Sequence, residues 1–189
     1  MIKIGILGDI GSGKSYVARN FGYPVFNADY EVAKLYQQNN NIFNKLKKKL
    51  PKHIHSFPIE KKEISNAILA NKRNLNKIIK IVHFEIRKKM NSFLKKNKNK
   101  KIIILDIPLL LENKIYTKKD KLVFVQSRQS DIIKRLKRRI NYNQILLERF
   151  KSIQYSTNYK KRKSDFIIKN DFTKKSVNDG IKNILKELI

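Results

Sequence analysis

A chain of 189 residues is long enough to bury roughly 70% of its unfolded surface, which predicts one domain with room for a small lid or insertion. It has no cysteine, so a disulfide framework and a cysteine-based zinc site are excluded; it has no leader-like start and no run approaching about 18 apolar residues, so neither secretion nor membrane spanning is expected and a cytoplasmic location is. The formal charge of +29 makes nucleic acid the first partner to consider.

Met1 to Leu7 alternates aliphatic residues and meets Gly8 at once, which predicts a strand and a turn. SYVARNFG reads as a helix closing at Gly22, and YPVFNAD as a short second buried strand after a proline that no helix interior accepts. From about Tyr30 to Leu94 the pattern is helical, broken near LPKHIHSFP by Pro51 and Pro58. KIIILDIPLLLEN and DKLVFVQS each carry the continuous apolar run of a fully buried parallel strand. RQSDIIKRLKRR and NYNQILLERFKSIQ read as helices, SDFIIKND as a last strand and SVNDGIKNILKELI as a terminal helix. Strands alternating with helices predict an α/β fold around a parallel sheet of about five strands, with no internal repeat and no linker that marks a domain boundary.

Between the first strand and first helix, Gly8, Asp9, Ile10, Gly11, Ser12, Gly13, Lys14 and Ser15 spell G-x-x-x-x-G-K-S. That context is what a phosphate-binding loop requires. Glycines allow successive backbone N–H groups to converge on phosphate oxygens, the helix start adds its dipole, Lys14 neutralises the β- and γ-phosphates, and the Ser15 hydroxyl would ligate Mg²⁺. Asp9 is a like charge beside a triphosphate, and the expectation is that its side chain points outward.

Such a loop serves ATPases, GTPases and small-molecule kinases alike. No N-K-x-D element follows LVFVQS, which argues against a GTPase. Arg135, Arg138 and Arg139, read as lying on one helix, suit the lid of a kinase, because a planar guanidinium matches the spread charge of a transferring phosphoryl group; surface decoration is the other reading. The charge itself is diffuse. Residues 1–44 hold four Lys/Arg against three acids and the remainder 40 against 12, with lysine accompanied throughout by Asn and Ile. This reads as a chain-wide bias on solvated faces that would still speed the arrival of polyanions, nucleotides included.

In chain order, GDIGSGKS, VFNAD, the Val82-His83 pair, DIPLLLEN, Arg139, Gln154 and SDFIIKN resemble the motifs of the dephospho-CoA kinase family, with Asp165 eleven positions after Gln154. The resemblance spans nearly the whole chain. It implies a P-loop, three-layer kinase fold over residues 1–189, a helical acceptor-binding segment over 30–95, a lid over 139–165, and phosphorylation of the ribose 3′-hydroxyl of dephospho-CoA by ATP with Mg²⁺. The departures are Asn27 where the family has a first aspartate, Phe84 where it has proline, Asp9 in place of the second loop glycine, and Tyr16 where threonine is usual.

The resemblance also implies roles. Asp29, read from position alone as either a general base at the end of the second strand or the N-cap of a helix starting at Tyr30, becomes the catalytic base beside Lys14 and the lid residue Arg139. Gly8 to Tyr16 bind the nucleotide, with Asn170 as an adenine-side contact that nearby backbone groups could equally supply. His83, on the apolar face IIKIVHFEI, and Arg87 contact the acceptor, as do Pro108 and Leu109 unless they only pack. Asp106 reads either as a Walker-B acid sharing Mg²⁺ with Ser15 or as a plain strand-end carboxylate. His53 and His55 lack a third ligand and are not read as a metal site. The rival readings are another small-metabolite or nucleoside monophosphate kinase and a basic nucleic-acid-binding NTPase.

Overall fold

The computed structural model describes residues 1–189. IKIGILG forms β1 (Ile2–Gly8), the middle of five strands. With β2 (Val25–Asn27), β3 (Ile102–Asp106), β4 (Lys121–Gln126) and β5 (Phe166–Lys169) it makes a wholly parallel sheet of order β2-β3-β1-β4-β5. The chain leaves β1 on one side for β2 and β3, then crosses to the other side for β4 and β5. The carboxyl end of β1 is therefore a topological switch point, where open parallel sheets bind ligands.

All five residues of β3 are buried, as expected of a strand covered on both faces. Ile4, Ile6, Ile102, Ile104, Val123 and Val125 pack with Val17 and Ala18 of α1 (Lys14–Asn20) and with Val177, Ile181 and Ile184 of α9 (Lys174–Leu188). Full burial of each isoleucine contributes about 2 kcal/mol. On the other side of β1 the packing is close at Gly5: a Cβ there would lie 2.9 Å from Leu110 Cδ2 and 3.0 Å from Leu122 Cδ2, so those side chains would have to shift.

The chain divides into two compact units. The first holds the sheet and comprises Met1–Asn27, Asn97–Tyr142 and Ile153–Ile189, including α6 (Gln129–Lys137) and α8 (Thr157–Arg162). The second, Ala28–Lys96 with Asn143–Ser152, is helical. In it α2 (Ala28–Gln38), α3 (Asn40–Lys49) and α4 (Lys61–Ala70) pack along α5 (Lys72–Lys96), and α7 (Gln144–Ser152) packs on α4. Leu75, Ile78, Val82 and Ile86 line the buried face of α5 at helical spacing. Glu63 organises the proline-bounded loop before α4, accepting backbone N–H bonds from His55 at 2.7 Å and Ser56 at 3.2 Å.

Three expectations are corrected. The second strand ends at Asn27, where pairing with Asp106 stops, and α2 begins at Ala28 rather than Tyr30. The arginine-bearing helix α6 ends at Lys137: Arg138 caps it and Arg139 lies in the following turn, so Arg135, Arg138 and Arg139 do not share one helix. Crowded like charge and the following Asn141 and Asn143 disfavour its continuation. Helix α8 was not foreseen, because TNYKKR has no apolar periodicity; Ser156 caps it, accepting from the Tyr159 N–H.

Candidate active site

The phosphate loop follows β1 directly. Gly13 caps α1 in the left-handed conformation, with φ 93 and ψ 16, and a Cβ there would run into the Asn170 side chain. Both facts require glycine. Lys14 Nζ donates to the carbonyl oxygens of Gly8 at 3.1 Å and Asp9 at 2.9 Å, so the ammonium is held over the loop it would serve. The Ser12 backbone oxygen accepts from Ser127 Oγ at 3.0 Å and Asn170 Nδ2 at 2.8 Å, while the buried Ser12 Oγ has no partner. Asn170 is itself buried, and its Oδ1 accepts from the Phe172 N–H at 2.9 Å. Its side-chain amide thus ties the phosphate loop at Ser12 to the backbone at Phe172.

Asp9 does not point outward. Thr157 Oγ1 donates to its carboxylate at 2.8 Å, Gln129 Nε2 at 3.3 Å, and Lys160 Nζ lies 3.4 Å away. Lys160 is buried and also donates to Gln154 Oε1 at 2.7 Å. Gln154 therefore reaches the loop through Lys160. Sequence reasoning missed Thr157, Gln129, Lys160 and Ser127: one buried lysine carries no signal among 44 lysines and arginines.

Asp106, at the carboxyl end of β3 beside β1, is buried, and its Oδ2 accepts from Asn27 Nδ2 at 2.6 Å. Two carboxylates at that separation would have to share a proton, so asparagine at position 27 fits beside Asp106 where a second acid would repel it. No group of three or more His, Asp or Glu could hold a metal alone. The pair of a loop hydroxyl, Ser15, and one buried acid, Asp106, nevertheless has the oxygen chemistry that Mg²⁺ takes when phosphates and water complete its shell. Beyond Asp106, Pro108 and Leu109 are half-buried, whereas Leu110 and Leu111 are buried in the core. Leu109 has φ 59, a strained conformation for a branched side chain of the kind that clusters at ligand sites.

In the helical unit, Asp29 is the second residue of α2, inside its first turn. It is therefore not the N-cap. His83 and Arg87 follow one another on α5 at i, i+4. Burial, and then the neighbouring Arg87 charge, hold the His83 imidazole below its ordinary value, and its buried Nε2 has no hydrogen-bond partner. On α7, Arg149 also has a buried and unpartnered Nη1. An unsatisfied buried guanidinium nitrogen calls for an acceptor, and sequence reasoning passed over this arginine.

Comparison with known proteins identifies the family. The family model described as dephospho-CoA kinase matches residues 2–176. A dephospho-CoA kinase from a Wolbachia of Brugia malayi is 32% identical over 98% of this chain and 97% of its own length, and one from Wolbachia pipientis wMel is 33% identical over the same shares. Among solved structures, TT1252 from Thermus thermophilus superposes with a TM-score of 0.78 at 23% identity, covering 100% of this chain and 98% of its own. The dephospho-CoA kinase from Campylobacter jejuni superposes at 0.63 and 20% identity, covering 98% and 96%. The structures share the fold; the sequence match, which spans residues 2–176 and nearly the whole of both relatives, goes further, and on it the chain belongs to the dephospho-CoA kinase family.

Proposed function

We propose that the protein transfers the γ-phosphoryl group of ATP to the ribose 3′-hydroxyl of dephospho-CoA, giving CoA and ADP. One observation carries this reading: a phosphate loop at the switch point of a parallel sheet, in a chain whose family match runs from residue 2 to 176. The backbone of Gly8 to Tyr16 would cradle the phosphates, Lys14 would exchange its loop carbonyls for phosphate oxygens, and Asn170 would keep the loop in shape. Ser15 and Asp106 would hold Mg²⁺, which when bound neutralises charge developing on the phosphate oxygens.

A ribose hydroxyl is a weak nucleophile, and Asp29 is the carboxylate proposed to take its proton. Its place inside the first turn of α2, past the cap, removes the N-cap alternative. His83 with Arg87, together with Pro108 and Leu109, would bind the acceptor, and the strained backbone at Leu109 supports a ligand wall there. Arg139 would clamp the triphosphate from the lid, whose closure would keep water from acting as a rival acceptor. In this reading residues 30–95 bind the acceptor, 139–165 form the lid, and the whole of 1–189 works as one kinase.

The test is purified protein with Mg-ATP and a panel of acceptors: dephospho-CoA, AMP, adenosine, and none, with ADP and the 3′-phosphorylated product both measured. Dephospho-CoA should drive ADP production one-for-one with CoA. Turnover of AMP in its place would favour a nucleoside monophosphate kinase, and no turnover of dephospho-CoA would overturn the proposal.

A further inference from the structure

A carboxylate in the turn of a phosphate loop needs an explanation, because it sets a negative charge beside the place where a polyanion is to sit. Asp9 is held by two neutral donors, Thr157 and Gln129, and by one cation, Lys160, whose ammonium lies 3.4 Å from Oδ1. Lys160 is 5% exposed, so this cation is fixed in place and weakly screened. Gln154 fixes it from the other side through a 2.7 Å bond. Opposite charges this close act at a distance as a dipole, whose field falls off faster than that of either charge alone.

We propose that Asp9 and Lys160 form a compensating pair that sets the affinity of the loop for triphosphate: Lys160 cancels the repulsion of Asp9, and Asp9 keeps Lys160 from over-binding ATP and its product. Both are positioning residues that act through the field at the phosphates, and the inference rests on the reading of Gly8 to Ser15 as a triphosphate site. Asp9→Asn keeps an oxygen to accept from Thr157 while removing the charge, so Lys160 stands uncompensated. Lys160→Met keeps the packing of the stem and leaves Asp9 uncompensated.

The experiment is calorimetric titration of wild type, Asp9→Asn, Lys160→Met, Lys160→Arg and the Asp9→Asn/Lys160→Met double variant with ATP, ADP and adenosine, each variant checked for folding by thermal melting. Asp9→Asn should tighten ATP and Lys160→Met should weaken it, each by about three- to tenfold, the size of one charge acting across several ångströms of partly screened protein. The effect should be smaller for ADP, absent for adenosine, and reduced by added salt. The double variant and Lys160→Arg should bind ATP within about twofold of wild type. Single variants that shift ATP affinity in the same direction, or shift adenosine as much as ATP, would overturn the pair and leave a contact that only shapes the loop. If Lys160→Met does not fold, Asp9→Asn and Lys160→Arg decide alone. A wild type that binds no nucleotide would overturn the site reading itself, whereas a wild type that binds ATP with charge-blind variants overturns the pair alone.

Discussion

Asp29 stands one position past the start of α2, where the helix dipole favours an acid by a few tenths to about 1 kcal/mol. Asp29→Asn removes that charge while keeping the size of the side chain. If Asp29 is the base, the substitution should lower kcat at least about a hundredfold while the Kd for ATP hardly moves. Turnover and ATP titration on the same preparation check this, and preserved turnover would overturn its role as the base. His83 makes a second prediction. Because burial and Arg87 depress its folded value, the unfolded chain binds the proton more readily. The stability it contributes is complete above about pH 6.5 and is lost as pH falls through the depressed folded value. An NMR titration of the imidazole should give a midpoint below 6.5, and His83→Gln should flatten the pH dependence of stability in that window.

Among the elements, β3 was legible because continuous burial writes itself as the run IIIL, and its cost of disruption follows from the same fact. Ile104, fully buried, should lose about 2–5 kcal/mol on truncation to alanine, read from urea unfolding; a loss under 1 kcal/mol would mean that the strand is not packed on both faces. At the far end of the sheet, α9 starts from Thr173, whose hydroxyl accepts from the Ser176 N–H, and Thr173→Ala should cost about 1 kcal/mol. Asp171 ties the same corner: hydrogen bonds from the Ser176 hydroxyl and then from Thr173 hold its carboxyl down to about 2. Its contribution to stability is present above its ordinary value near 3.8 and lost as pH falls toward 2, so a carboxyl-carbon titration with a midpoint near 3.8 would contradict this corner. Helix α8 was illegible for the opposite reason to β3. A six-residue polar helix is stabilised by its cap and its contacts with the loop, not by any period in its sequence.

For the whole molecule, the expected effect of the +29 charge is on encounter with anionic substrates. Raising salt from low to several hundred millimolar should lower kcat/KM for ATP by about threefold or more while changing kcat little, as steering is screened beyond a few ångströms. Added nucleic acid should not stimulate ATP hydrolysis. Stimulation would favour the nucleic-acid NTPase that the charge first suggested.

By itself the sequence determined the phosphate loop, the parallel α/β class and the family, because each is written in contiguous residues or in motifs whose order survives without coordinates. Only the tertiary structure decided what surrounds that loop. Asp9 and Lys160 are 151 positions apart, Asn170 and Ser12 are 158, and Asn27 and Asp106 are 79. A polar side chain of common type shows no preference in sequence for a partner that distant. Parallel strands meet through crossovers, so the neighbours of the loop were fixed by strand order and register rather than by any local pattern.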